Sequence, residues 1–428
     1  MIDIKLIREN SELVKENIRK KFQDEKVVLV DQVRDLDEKF RNIKVEADNL
    51  RKLRNQNSDK IGLLMREGKK EEANNIKGEV SKLNENLVDL ESKEVEIKSE
   101  IDKIMMSIPQ IIDITVPIGK DSSENVEVER FGEPIIRNYE IPYHADIMNI
   151  VNGLDKESSG RTSGNGFYYL MGDIARLHSA MLSYARDYMI DRGFVYCIPP
   201  FMIRSDVVNG VMSFEELNAM MYKIENEDLF LIGTSEHSVI GKFKNQIIRK
   251  EELPIKITSY SPCFRKEVGA HGIEERGVYR VHQFEKQEMV VLCDRSEEAD
   301  WYDKMWKYTV DFFRTLEIPV RTLECCSGDL ANLKVKSCDI EAWSPRQKEY
   351  FEVGSCSRLG DAQARRLGIR VKKENNEYVS TLNNTVLATP RALIAFLENN
   401  YLEDGSIRIP KALQPYMGGK EFIKRETN

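Results

Sequence analysis

The sequence predicts an α+β chain: an N-terminal antiparallel helical coiled-coil hairpin, then a domain built on a mainly antiparallel β-sheet flanked by helices. Three observations carry this. Apolar residues recur at three- and four-residue spacing over most of the first hundred or so positions. No proline occurs before Pro109. Beyond about residue 130 this period gives way to short β-branched and aromatic runs bounded by Gly and Pro.

In the helical region, Val33, Leu36, Phe40, Ile43, Ala47 and Leu50 set one seam, which continues to Ile61 and Leu64. Ala73, Ile76, Val80, Leu83, Leu87, Leu90, Ile97, Ile101 and Ile104 set a second. Gly68, among Arg66, Glu67, Lys69 and Lys70, marks the reversal. Arms of roughly 32 residues at ~1.5 Å each would project about 48 Å. Arg54, Asn57 and Glu94 fall on the seam, where polar groups cost stability but fix register. The distal half carries Arg51, Lys52, Arg54, Lys60, Arg66, Lys69, Lys70, Lys77 and Lys82 against fewer acids. A basic tip on a long lever suits a phosphate backbone. A solvated face of mixed charge is the structural alternative.

A chain of 428 residues implies two domains. Its formal net charge of −8 excludes a generally basic nucleic-acid binder, so any such contact must rest on a local patch. Seven cysteines without a CxxC pair point to a reducing compartment, and no structural zinc is expected. No apolar run approaches the ~20 residues of a membrane span. Met1-Ile2-Asp3-Ile4-Lys5 lacks a secretory h-region, so a cytoplasmic place and no membrane partner are expected. Pro109 and Pro117 close the helical region. The expected divisions are an arm over 1–108, a linker over 109–125 and a second domain over 126–428.

In that domain a helix is expected over Ile174–Arg192, stopped by Gly193. Strands are expected at Phe194–Ile198, Leu229–Ile232, Ile255–Lys266, Val278–Leu292 and Val320–Cys325. Their spacing favours antiparallel pairing. Period-2 alternation would set Arg265 and Glu267 on one strand face, and Arg280, His282, Phe284, Lys286 and Glu288 on a face of the return strand. Two arginines there could grip phosphate, Phe284 could stack on a purine, and Glu267 could accept from an exocyclic amine. A ladder of cross-strand salt bridges around a core Phe would leave the same pattern. The second informative stretch is Leu382–Arg391. Thr389 as N-cap and Pro390 at N1 would start a helix, with Arg391 in its first turn where phosphate finds free N–H groups. Asn383 and Thr385 precede it on an extended segment.

Taken in order, these stretches resemble the seryl-tRNA synthetases, a class II aminoacyl-tRNA synthetase family. The resemblance runs from Met1–Asn17 through the arm, Gly193–Pro200 (motif 1), Thr234-Ser235-Glu236 and Phe264–Glu288 (motif 2). It continues through Cys326-Ser327-Gly328-Asp329, Glu352–Ser357, Leu382–Glu398 (motif 3) and Pro415-Tyr416-Met417-Gly418-Gly419. It implies a class II catalytic domain over 126–428 that activates L-serine with ATP and transfers it to the 3′ end of tRNA-Ser, with tRNA-Sec as a further acceptor left open. By resemblance, ATP is held by Arg265, Lys266, Glu267, Arg280, Val281, Phe284, Glu352, Val353, Gly354, Ser355 and Arg391. Arg265 and Arg391 are the implied catalytic arginines, on the α- and γ-phosphates. Mg²⁺ is implied at Glu352 and Ser355. Serine is implied at Thr234, Ser235, Glu236, Arg265, Glu288, Asn383 and Thr385. A homodimer is implied, with the arm reaching the tRNA.

The implied chemistry suits these residue types. A serine carboxylate attacks the α-phosphorus already ionised, so positioning and charge neutralisation suffice and no side-chain base is needed. His282 is therefore expected to be structural, as are His237 and His271. Alanine would leave hydroxyl partners unpaired, at a cost of roughly 10⁴-fold or more. The chain departs from the family's usual reading in two places. Arg358-Leu359-Gly360 follows Ser355-Cys356-Ser357 where the family reads an Asn, and the Gly269–Gly277 loop lacks the usual Lys/Arg-Asp pair. A serine-activating paralogue serving another acceptor or a biosynthetic pathway, and a non-catalytic structural paralogue, are the alternatives. The full arm argues against the first, and the retained Arg265, Glu267, Glu288, Glu352 and Arg391 against the second.

Overall fold

The computed structural model describes residues 1–213, 217, 219–267, 277–373 and 375–425. The chain divides into two compact units, Ile2–Pro109 and Gln110–Asn428 together with Met1.

In the first unit, two short helices, Ile4–Glu9 and Ser11–Lys20, lead into the long helices Val27–Arg66 and Lys70–Met105. These two pair as the expected hairpin. Val33, Ala47, Leu64, Ala73, Leu87 and Ile101 of the seam are buried, and Arg54, Asn57 and Glu94 are half-buried between exposed neighbours. Arg51 ties the two helices through Glu91 at 2.9 Å. Gly68 makes the reversal at φ +80°, a conformation that costs glycine little. The arms are longer than expected, at 40 and 36 residues. A 3₁₀ turn at Asp24–Lys26 starts the helix early, and Val30 extends the buried stripe toward the base. There Asp37 is buried and takes both Arg8 nitrogens at 2.7 Å.

The second unit is built on an eight-stranded sheet. Its strands are β1 (Val126–Phe131), β2 (Val195–Cys197), β3 (Ile255–Phe264), β4 (Gln283–Cys293), β5 (Val320–Glu324), β6 (Lys336–Ser344), β7 (Glu349–Gly360) and β8 (Ser380–Ala388). Their order across the sheet is β1-β5-β6-β7-β8-β4-β3-β2. Every pair is antiparallel except β2 with β3. Alternation along β4 sorts its two faces. Met289, Val291 and Cys293 enter the larger apolar cluster with Leu177 and Met181 of helix Gly172–Ile190 and Phe312 and Phe313 of helix Glu298–Thr315. Val290 and Leu292 join a second cluster with Val239 and Ile240 of helix Ser235–Gly241. Glu288 shares their parity, which aims it at the second face.

Several sequence expectations are corrected here. The strand expected over Val278–Leu292 begins only at Gln283. Upstream, the Val278 N–H donates to His144 Nε2 at 3.1 Å and the Gly277 carbonyl accepts from Lys156 Nζ at 3.1 Å. Side chains thus take the backbone groups a strand partner would have used. Arg280 and His282 therefore lie off the strand. Likewise β3 ends at Phe264, and Glu267 sits at φ +45° beyond it. Period-2 reasoning placed Arg265 with Glu267, and Arg280 with Phe284, for a reason that does not apply.

Candidate active site

A cavity of about 440 Å³ opens where β4, β6, β7 and β8 converge with the start of helix Thr389–Asn400. Of the sequence-selected residues, Thr234, Glu236, Arg265, Glu267, Arg280, Val281, Phe284, Glu352, Val353, Gly354, Ser355, Asn383, Thr385 and Arg391 line it. Three do not. Ser235 is fully buried, with its hydroxyl 2.7 Å from that of Ser259. The Lys266 N–H donates to the Met220 carbonyl at 3.0 Å. Glu288 lies behind the wall, fully buried, accepting from Thr234 Oγ1 at 2.9 Å and pairing with Lys286.

Sheet irregularities aim the side chains. Glu352 and Ser355 are three apart and would face opposite ways on a regular strand. The β6–β7 register shifts at Ile340/Glu341, and the bulge turns both toward the cavity. On β8, Asn383 and Thr385 line the cavity while Asn384 turns away to the Met305 carbonyl and Thr309. The helix that follows starts one residue earlier than expected. Ala388 is the N-cap, and Thr389 spends its hydroxyl on the Glu285 backbone at 2.9 Å. Arg391 still falls in the first turn. Its Nη1 donates to Glu352 Oε2 at 2.7 Å, and its guanidinium lies 4.8 Å from the Tyr279 ring centre.

At the other end, the Arg265 guanidinium carbon lies 5.3 Å from the Phe284 ring centre, and its Nε donates to the Gly233 carbonyl at 3.2 Å. Arg280 stands 3.5 Å from Glu267. Glu267 holds a left-handed backbone, unusual for a non-glycine residue and concentrated at functional sites. His282 donates from Nδ1 to the Arg265 carbonyl at 3.0 Å. His237 is buried, and desolvation, then the Arg265 and Lys286 charges, push it down to about 3. His271 and positions 269–276 of the motif 2 loop lie outside the described residues.

Glu236 is the most perturbed carboxylate of the cavity. Burial first, then the Glu288 charge, raise it to about 7. Its two oxygens accept from Gln363 Nε2 at 2.8 Å and Asn383 Nδ2 at 2.6 Å. Burial and the charge of Glu352 raise Asp339 to about 6. Cys325, Asp329 and Asp339 each bring one ligand atom within 4.8 Å of the others, with the Lys334 charge acting on the same group.

Sequence reasoning gave no role to Lys286 and did not single out Tyr279, Lys334 or Asp339, all of which line the cavity. Lys286 had a signal, since it shares a strand face with Phe284 and Glu288. Asp339 had none, because only the β6–β7 register, Asp339 opposite Ser355, brings it in.

The departure after Ser355 splits between the two faces of its strand. Ser357 and Leu359 line the cavity, whereas Arg358 turns away to Asp113 and Glu298. Burial would raise Asp113, but hydrogen bonds from Thr115 and Arg358 outweigh it and hold the carboxyl at about 2. A depressed carboxyl stabilises the fold above its unfolded value near 3.8, and that contribution is lost as pH falls toward 2. Arg358→Ala is therefore expected to lower stability most at pH 7, where the contribution is fully present, and least near pH 2, measured by urea unfolding followed by circular dichroism at both pH values.

Comparisons agree over the whole chain. Residues 1–112 match the family model for the seryl-tRNA synthetase N-terminal domain. Residues 220–400 match that of the tRNA synthetase class II core domain (G, H, P, S and T). The serine–tRNA ligase of Pyrococcus horikoshii is 39% identical over 449 residues, covering 100% of this chain and 98% of that protein. The crystal structure of the seryl-tRNA synthetase from Pyrococcus horikoshii complexed with ATP superposes with a TM-score of 0.93, at 38% identity and full coverage of both chains. The cytoplasmic serine–tRNA ligase of Naegleria fowleri in complex with AMP gives 0.88 at 30% identity, covering 100% and 99%. The hairpin and the mainly antiparallel sheet fit these matches from end to end, and the chain belongs to the seryl-tRNA synthetase family of class II ligases.

Proposed function

We propose that the cavity binds ATP and L-serine side by side, forms seryl-adenylate, and passes the seryl group to the 3′ end of tRNA-Ser. One observation carries this: cationic and aromatic groups for a nucleotide and a buried carboxylate pocket for an ammonium group open into the same cavity. Phe284 offers a ring face for adenine beside Arg265, whose guanidinium suits the α-phosphate charge. Arg280 supports the phosphates beside Glu267. Arg391, presented by a helix start, suits the γ-phosphate. Lys286, Tyr279, Val281, Val353 and Gly354 shape the walls.

Thr234, Glu236, Asn383 and Thr385 form the serine end. Glu288 Oε2 has no hydrogen-bond partner among the described residues, which suits a buried carboxylate that awaits a donor. The neighbouring Ser235 and Lys266 contribute through backbone placement. The attacking serine carboxylate needs no base, in keeping with a His237 held neutral and a His282 committed to the Arg265 carbonyl. Glu352 and Ser355 offer hard oxygen donors that fit Mg²⁺, which when bound would neutralise phosphate charge.

The arm is read as the tRNA contact. Arg66, Lys69 and Lys70 are exposed around the reversal of the hairpin, where clustered cations suit a phosphate backbone. A second copy of the chain is read against the edge strand β2, where Val195 is 69% and Ile198 62% exposed. A cytoplasmic place belongs to this reading through the family; no helix among the described residues is long and apolar enough to cross a membrane. Service of tRNA-Sec follows from the same chemistry if that tRNA shares the arm's target. The test is ATP–pyrophosphate exchange. Exchange should require serine and be lower by about 10⁴-fold with alanine. Equal exchange with alanine would refute the serine pocket.

A further inference from the structure

The serine end of the cavity holds a hydrogen-bond chain that begins outside it. Gln363 does not line the cavity and is fully buried in the short helix Ala362–Leu367 after β7. Its Oε1 accepts from Thr381 Oγ1 at 2.7 Å. The amide's direction is set by its Nε2, which donates to the acceptor-only Val211 carbonyl at 3.5 Å and to Glu236 Oε1 at 2.8 Å. Thr381 and Asn383 are two apart on β8 and share a face, so one strand reaches both oxygens of Glu236, directly through Asn383 and indirectly through Gln363.

We propose that Gln363 is a positioning residue of the serine subsite, holding the Glu236 carboxylate ionised and oriented for the substrate's donors. This rests on the assignment of Glu236 to serine. Glu236 needs such help. Its surroundings include a second buried carboxylate, Glu288 on β4, and three cations, Lys286 on β4, Lys334 before β6 and Arg265 after β3. His237, on its own helix, stays neutral at working pH. Burial and Glu288 favour the protonated acid, while the amide of Gln363 and the lysines favour the carboxylate. A protonated Glu236 would present an O–H where the substrate also brings donors. An amide at Gln363 therefore does more than fill space: it donates to the charged form and carries no charge of its own.

The test uses the full chain in serine-dependent ATP–pyrophosphate exchange between about pH 6 and 9. Three variants are compared with the parent. Gln363→Met keeps the volume and removes the donor. Thr381→Val removes the hydroxyl that donates to Gln363. Glu236→Gln is the control on the subsite. Gln363→Met should raise KM for serine about tenfold, leave KM for ATP within about twofold, and move the rise of kcat/KM for serine to higher pH. Thr381→Val should change the same parameters in the same direction, which keeps the test decisive should Gln363→Met fail to fold. An unchanged serine KM and pH profile in both, with Glu236→Gln inactive toward serine, would overturn the role of Gln363 and leave the subsite standing. Equal losses toward serine and ATP, tracking a fall in Tm, would show Gln363 to be merely structural and overturn the proposal. If Glu236→Gln kept the parent's serine KM, the subsite reading itself would fall, and the proposal with it.

Discussion

Arg391→Ala is expected to lower serine-dependent ATP–pyrophosphate exchange by about 10²–10³-fold, with Tm changed little. The reason lies in where the residue sits. Arg391 is in the first turn of helix Thr389–Asn400, and its side chain reaches Glu352 across the cavity at 2.7 Å. The two groups are placed by separate elements, the helix start and the β7 bulge. On the proposed reading, removing the guanidinium takes a preorganised planar cation from the departing pyrophosphate. Lysine would restore the charge without the fork, so Arg391→Lys is expected to recover only part of the rate. Full activity in Arg391→Ala would detach this arginine from the phosphates.

Deleting residues 30–105 is expected to leave exchange within a fewfold of the parent and to cut charging of tRNA-Ser by about 10²-fold or more. The cavity residues all lie in the unit Gln110–Asn428, so amino-acid activation should not sense the arm. The exposed Arg66, Lys69 and Lys70 at the reversal lie in the other unit. Replacing these three with Gln in the full chain should lower charging in the same direction and flatten its salt dependence. Unchanged charging after arm deletion would refute the arm's role.

The hairpin was legible because a coiled coil writes its packing in the sequence. Val33 to Leu64 and Ala73 to Ile104 recur at the spacing that buries one stripe, and even the polar Arg54, Asn57 and Glu94 keep the register. The sheet was legible as antiparallel strands, but not where its edges break. Arg280 and His282 read as strand because their residue types alternate, yet His144 and Lys156 take up the backbone at Val278 and Gly277, and the Gly166 carbonyl takes the His282 N–H. Thr389 reads as an N-cap, yet its hydroxyl answers to β4. Glu352 and Ser355 reach the same cavity only through a bulge, which no spacing rule shows. Their implied roles came from resemblance to a family, as did those of Thr234 and Glu236. Gln363 was silent in the sequence. Its meaning depends on contacts with Thr381 and Glu236, at sequence separations of 18 and 127.

The central claim is that this one cavity activates serine for transfer to tRNA. Charging of total tRNA with labelled serine by the full chain tests it most directly. The account predicts ATP-dependent serine ester on tRNA-Ser, no comparable labelling with alanine, and loss of the signal in Arg391→Ala. Robust serine-dependent exchange with no serine ester on any tRNA would contradict it, and would point to a serine-activating enzyme with another acceptor.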